Sequence, residues 1–376
     1  HTEMSYQFRK GAFSVTPYAY YKWQIPWNTQ YGDPLIYDYQ NIVASRTSGG
    51  FTTNGTFFKR LKFVGGFQYY YDHMSYYRKS LLLSNGKPEA GYNGVASFLD
   101  LSYSTSFANF FAGARVDKYA HFKPTVVPRI SITKAFKIWH YKLIYGQALK
   151  IPTLQNINLS AGGEISPEYM TEAQVELGLN FKHFDISLNV FDNQITNYIF
   201  YRYNLSTLTE SYQNMPGKIN VMGSELSAAL KWGPVRASLA YSTYYNKQND
   251  IQGILVDTLD AASGNLAFAQ HKLNARLSFR ISPKYSIIVT NIYTSETYAY
   301  MQINATTGEY GKVHFGPTDL LSVGFQSKNT FGFFDYYIGV RNCLNTQMYN
   351  LYPYQSGYQP TLDMGRELIL KVKFRL

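Results

Sequence analysis

Leu368-Ile369-Leu370-Lys371-Val372-Lys373-Phe374-Arg375-Leu376 ends the sequence, and it alternates almost without exception. Leu370, Val372, Phe374 and Leu376 fall on one face of an extended chain, and Lys371, Lys373 and Arg375 on the other. Such a stretch is a β-strand with one apolar and one cationic side. A soluble sandwich can carry a strand of this kind too. Here the pattern recurs from end to end: Leu273, Ala275, Leu277 and Phe279 alternate with Asn274, Arg276, Ser278 and Arg280, and Phe184, Ile186, Leu188 and Val190 with Asp185, Ser187 and Asn189.

Period-two segments bounded by turn residues give about seventeen strands of the length a tilted membrane strand needs. They centre on Thr2–Arg9, Phe13–Trp27, Arg46–Phe58, Leu61–His73, Gly91–Thr105, Phe107–Tyr119, Thr125–Ala135, Ile138–Ile151, Met170–Phe181, Phe184–Tyr201, Lys218–Leu230, Val235–Asn249, Gln270–Ile281, Tyr285–Tyr300, Asp319–Thr330, Phe334–Tyr349 and Arg366–Leu376. Short connections, such as Lys59–Arg60, Lys182–His183, Gly233–Pro234 and Pro283–Lys284, alternate with long ones, such as Asn28–Ala44, Pro152–Tyr169, Asp250–Ala269 and Leu351–Gly365. Outer-membrane barrels pair tight periplasmic turns with long external loops, whereas a soluble sandwich has no reason to sort loop length by side. The expected fold is an all-β transmembrane antiparallel β-barrel, with residues 1–376 as one unit.

Composition agrees. Aromatics make up 17% of the 376 residues, with 36 Tyr and 25 Phe, and charged residues only 16%, against about 25% in soluble proteins. Tyrosine suits the boundary between membrane and water, where barrels carry aromatic girdles. Mean hydropathy is slightly negative, as expected when every second residue faces a polar lumen, and no apolar run reaches the roughly 18 residues of a membrane helix. The net charge of +11 invites a nucleic-acid reading. Much of it sits at or near the tight turns and not in one patch, Lys59 and Arg60, Lys137, Lys182 and Lys284 among them, so no nucleic-acid partner is expected. Those turns are expected to lie near a charged lipid surface. The lone Cys343 forms no internal disulfide, and the pattern begins in mid-strand at His1, so further residues are expected upstream.

Several motifs resemble the C-terminal barrel region of TonB-dependent outer-membrane receptors. The clearest is Tyr145-Gly146-Gln147-Ala148-Leu149-Lys150-Ile151-Pro152-Thr153-Leu154, followed by a loop, then Ser166-Pro167-Glu168 and Glu176-Leu177-Gly178. Gly113-Ala114-Arg115-Val116-Asp117, Pro128-Arg129-Ile130-Ser131, Asn342-Cys343-Leu344-Asn345 and Gly365-Arg366 follow the family pattern as well. Met364 stands where a proline is usual, and Leu376 where the family has a terminal aromatic. The resemblance implies a barrel of about 22 strands around an N-terminal plug. The plug and about five strands would lie upstream of this chain. It also implies an outer-membrane location and contact with outer-membrane lipid. TonB would bind through the upstream region, and the barrel-assembly machinery would act during biogenesis. The expected activity is import of a bulky, scarce nutrient such as a metal chelate, a cobalamin-like cofactor, a glycan or a peptide. A passive porin-like channel is the alternative.

No enzyme motif is present: there is no zinc-protease helix, phosphate loop, nucleophile elbow or cysteine pair, and the 7 histidines are scattered. Asp72-His73, at a strand end, reads as a solvated rim pair. Asp250, Asp257 and Asp260 share one long loop and raise the idea of a bound calcium, but their spread does not match a calcium loop, so no cofactor or metal is expected. The ligand-binding candidates are aromatic loop tips, Trp27, Tyr31, Tyr352, Tyr354 and Tyr358, since rigid rings give contact area at low entropy cost; anchoring in an external aromatic girdle is the alternative for them. Tyr298 and Tyr300 read as girdle residues. Lys150, Pro152, Glu176, Gly365 and Arg366 read as architectural.

Overall fold

The computed structural model describes residues 1–27, 42–76, 82–83, 86–160, 164–204, 209–250, 264–304, 306–307, 309–330, 332–351, 354–356 and 360–374. The strands are β1 (Thr2–Ser5), β2 (Phe8–Lys10), β3 (Phe13–Trp27), β4 (Ile42–Phe57), β5 (Leu61–Tyr76), β6 (Glu89–Ser104), β7 (Asn109–Tyr119), β8 (Thr125–Ala135) and β9 (Trp139–Lys150). A one-turn helix, α1 (Leu154–Asn158), precedes β10 (Glu168–Asn180), β11 (Phe184–Thr196), β12 (Ile199–Asn204), β13 (Thr209–Asn214), β14 (Lys218–Trp232), β15 (Val235–Asn249), β16 (His271–Arg280) and β17 (Tyr285–Thr294). The remainder are β18 (Thr297–Asn304), β19 (Glu309–Phe315), β20 (Thr318–Thr330), β21 (Phe334–Arg341), β22 (Tyr349–Asn350), β23 (Tyr354–Ser356), β24 (Thr361–Leu362) and β25 (Glu367–Phe374).

Eighteen of these carry the main ladders, and β1 and β2 are two halves of one interrupted strand, so about seventeen through-strands remain. The interruption has a local cause. β1 and β2 both pair with β3, and the gap at Tyr6 and Gln7 falls opposite Pro17. Proline has no N–H, so a rung is missing there, while the Pro17 carbonyl still accepts from the Tyr6 N–H at 3.2 Å.

The chain forms two compact units. The first comprises residues 1–134, 143–173 and 195–217, and the second residues 135–142, 174–194 and 218–376. In the first, β3 to β8 form an unbroken antiparallel meander. In the second, β14, β15, β16, β17, β20, β21 and β25 do the same.

Register sorts the side chains into two opposite faces. In the first unit Phe51 lies opposite Phe67, Tyr69 opposite Val95, and Val116 opposite Val126, all on one face and all exposed. In the second, Phe279, Ile287 and Phe325 align on one face, as do Ile338 and Leu370, and Leu368 is 79% exposed. The opposite faces carry charge: Arg46 pairs with Asp72, Asp117 with Thr125, and Lys373 with Asp335. In each unit one face of the sheet exposes large apolar side chains and the opposite face carries charge, an arrangement that is inside-out for water and right for lipid, and paired antiparallel strands satisfy their backbone groups internally. No helix among the described residues is long and apolar enough to cross a membrane.

The structure revises several expected boundaries. The strand expected over Phe184–Tyr201 ends at Thr196, because Asn197 adopts φ 54° and redirects the chain into the β12–β13 hairpin. That expected over Tyr285–Tyr300 breaks after Thr294, and β18 pairs with β19 and, in parallel, with β23. Tyr298 and Tyr300 thus belong to a sheet made by long loops. The strand expected to reach Tyr349 stops at Arg341, where Asn342 turns left-handed at φ 53°.

A candidate functional site on the polar face

The polar face of the first unit holds a chamber of about 910 Å³, whose lining includes Lys22, Arg46, Gln68, Asp72, Arg115 and Arg129. Three ion pairs shape it. Arg46 grips Asp72 through two bonds, Nε to Oδ1 at 2.6 Å and Nη2 to Oδ2 at 2.8 Å, and stacks over the Tyr70 ring 4.5 Å away. The Tyr119 hydroxyl donates to the same carboxylate at 3.0 Å. Asp72 is therefore a largely buried anchor, not the solvated rim residue expected. Its neighbour His73 faces Glu89 at 3.2 Å instead. Arg115 holds Asp117 with two bonds of 2.8 Å, and Arg129 reaches Asp100 at 2.9 Å.

The family-like motifs explain this geometry. Asp100, Gly113 and Arg129 lie abreast on β6, β7 and β8. A Cβ on Gly113 would stand 2.0 Å from the Asp100 carboxylate, so glycine is what lets Arg129 reach Asp100 across the strand between them. Gly94 likewise leaves room for the Tyr70 ring, which stacks on Tyr119 at 5.7 Å. Gly113, Arg115, Asp117 and Arg129 were legible as motif residues. Asp100, which joins two of the motifs, carried no signal of its own.

One end of the chamber is covered by a loop. After Lys150 and the fully buried Pro152, Thr153 caps α1: its Oγ1 accepts from the Asn156 N–H at 3.1 Å and its own N–H donates to Asn156 Oδ1 at 3.0 Å. Ile157 then packs with Tyr70, Tyr119, Phe122, Ile165 and Ile199, while Leu154 packs against Ile42, Met74, Tyr76 and Leu83. Lys150 bonds Glu168 at 3.3 Å, and Glu168 accepts from the Ile199 N–H at 2.9 Å. Tyr198 lies under the Lys150 ammonium, and burial, with Glu168 beside it, pushes its phenol above the ordinary range. Asn214 ties the loops together, donating to the carbonyls of Ser166 and Asn197 and accepting from the Ser166 N–H.

In the second unit Glu176 accepts from Lys142 at 2.8 Å and meets His140 Nε2 at 2.9 Å, and Gly178 leaves the space the His140 ring fills. Gly365 and Arg366 dock on the Asn342–Asn345 turn: the Arg366 N–H donates to Asn345 Oδ1 at 3.0 Å and its guanidinium to the Cys343 carbonyl at 2.8 Å. Asp250 joins the far ends of β14 and β15 by accepting from the Lys218 N–H at 2.8 Å, and Asp257 and Asp260 lie outside the described residues. So do Tyr31, Tyr352 and Tyr358 and the side chains of Trp27 and Tyr354, whose backbones pair with Ile42 and Tyr300.

A family model described as TonB dependent receptor-like, beta-barrel, matches residues 2–360. The chain belongs to this family. The barrel of a TonB-dependent receptor lies in the outer membrane, so the apolar face meets lipid and the polar face, with its chamber, lines the lumen. Solved structures of the same fold include the ferric enterobactin receptor PfeA of Pseudomonas aeruginosa, 13% identical with a TM-score of 0.72 over 98% of this chain and 60% of that one. The siderophore receptor PirA of Acinetobacter baumannii is 12% identical, with a TM-score of 0.73 over 96% and 59%. The FrpB iron transporter of Neisseria meningitidis is 15% identical, with a TM-score of 0.68 over 98% and 62%. This TonB-dependent barrel therefore spans about 60% of the length of the structures it matches. No curated protein matches its sequence.

Proposed function

We propose that this chain is the wall of an energy-coupled importer that carries a bulky, scarce nutrient across the outer membrane. The observation that carries the reading is the chamber on the lumen face, roofed at one end by α1 and built from ion pairs already satisfied within the wall. Such a surface offers hydrogen-bond donors without moving to provide them, which lowers the cost of capture. An upstream plug domain would fill the lumen, an upstream segment would contact TonB, and the barrel-assembly machinery would insert the wall. Tyr352, Tyr354 and Tyr358, with Trp27 and Tyr31, would add aromatic contacts at the mouth. Because solved structures of the same fold include a ferric enterobactin receptor and a siderophore receptor, iron chelates are the first ligand class to try; cobalamin, glycans and peptides come next.

The test is uptake of an iron-radiolabelled catecholate chelate, and separately of labelled cyanocobalamin, by cells carrying the full-length protein. Saturable uptake of either probe that stops when an uncoupler collapses the proton gradient supports the importer. Uptake that is unsaturable and indifferent to the uncoupler assigns a passive channel instead.

A further inference from the structure

In the second unit three of the tight turns share one composition. Phe136-Lys137-Ile138-Trp139, Phe181-Lys182-His183-Phe184 and Ile281-Ser282-Pro283-Lys284-Tyr285 each set one lysine among large apolar residues, and none of the three contains an acid. All three lysines are exposed. The opposite ends and their loops mix Glu296, Glu309, Asp363 and Glu367 with Lys312 and Arg341. Adjacent turns are bound to one another. The Lys231 N–H donates to the His183 carbonyl at 2.8 Å, that of Arg280 to Pro234 at 2.9 Å, and that of Lys328 to Lys284 at 2.8 Å.

On the lipid face, within a residue or two of these turns, stand Trp139, Phe181, Trp232, Phe279 and Tyr285, all exposed. An aromatic row at this position marks the boundary where hydrocarbon gives way to headgroups. Lys137, Lys182 and Lys284 stand at or just beyond that row. Of the other cations at this end, Lys231 and Arg236 are cross-strand partners on the lumen face, as is Lys373 opposite Asp335. The first unit has the same composition in Phe57-Phe58-Lys59-Arg60, where Phe58 is 91% exposed.

We propose that Lys137, Lys182 and Lys284 bind the phosphate of an anionic phospholipid of the phosphatidylglycerol type in the leaflet beside the tight turns. The aromatic row supplies the apolar footing for the glycerol and upper acyl chain, and each lysine, with no acid in its own turn, supplies a counter-charge. Zwitterionic lipid lacks the net charge and gains less from the same contacts. A basic residue near an anionic surface contributes about fivefold in affinity.

The experiment uses folded full-length protein in mixed micelles holding phosphatidylglycerol and phosphatidylcholine in equal amounts with matched acyl chains, with retained lipids counted by native mass spectrometry. The parent protein should enrich phosphatidylglycerol about tenfold or more, and the triple variant Lys137→Gln, Lys182→Gln, Lys284→Gln should lose that preference. The corresponding triple Lys→Arg variant and the lumen-face Arg236→Gln should both keep it. A parent with no preference, a Gln triple variant that retains it, or an equal loss in Arg236→Gln overturns the proposal. If the Gln triple variant does not fold, the parent alone decides: enrichment must fall as salt rises from about 50 to about 500 mM, and enrichment unmoved by salt overturns the proposal.

Discussion

Single residues hold this wall together mainly where a glycine faces a larger neighbour. Gly113 gives Asp100 the space to reach Arg129, and Gly178 does the same for His140 beside Glu176. A methyl group on Gly113 would have to displace the Asp100 carboxylate from 2.0 Å, so Gly113→Ala should cost about 1–3 kcal/mol. The check is the temperature at which heat-modifiable gel mobility is lost. In an Asp100→Ala background the same change should cost much less, and equal costs in both backgrounds would place the strain elsewhere. Sequence patterns exposed the glycines and arginines of these sites because the family resemblance marks them. Asp100 and Asp72 stayed hidden for a physical reason: their partners lie on other strands, across ladders whose register is set only when the sheet forms. Asp72 next to His73 in sequence suggested a pair, yet adjacent strand residues point to opposite faces.

At the scale of elements, the through-strands were legible, whereas their ends and the hairpins inside the long loops, such as β13 and β19, were not. Alternation predicts a strand but carries no stop signal when it continues into a loop hairpin, as at Asn197 and after Thr294. The missing rung at Pro17 could be read only once β1 and β2 had a partner. The closing strand β25 offers the cleanest test of face assignment. Val372 aligns with Tyr336 on the lipid face and Lys373 with Asp335 on the lumen face. Val372→Arg should cost about 2–4 kcal/mol if the site lies near mid-membrane, and Lys373→Gln little. Comparable yields of folded barrel for the two would mean that the faces are exchanged. The last long loop, which returns β23 to pair with β18, is the element on which the aromatic-capture idea rests. Tyr352→Ala with Tyr354→Ala should weaken whichever chelate or cobalamin probe is transported by more than about fivefold, with thermal stability unchanged. Unaltered half-saturation would move capture to the chamber or to upstream residues.

Over the whole molecule, the count of through-strands and the sorting of loop lengths were both present in the sequence, because the membrane imposes them at every crossing. The chamber was not, because it is assembled from six strands and a one-turn helix that no local pattern announces. Orientation can be measured directly. Cysteines placed at Lys59, Lys137, Lys182 and Lys284 should resist an impermeant reagent in intact cells, while those at Asp257, Thr306 and Tyr354 should react; the reverse pattern would invert the topology. The two-faced ladders also bear on how such a wall is built without mistakes. Side chains repeat every second residue, so a neighbouring strand that docked one residue out of step would turn Arg276 or Arg46 toward hydrocarbon and bury Leu277 or Phe67 in the lumen, all along its length at once. A wrong register is thus penalised over a whole strand, not at one contact. The alternation that identifies the fold therefore also fixes the one register in which each strand can join its neighbour.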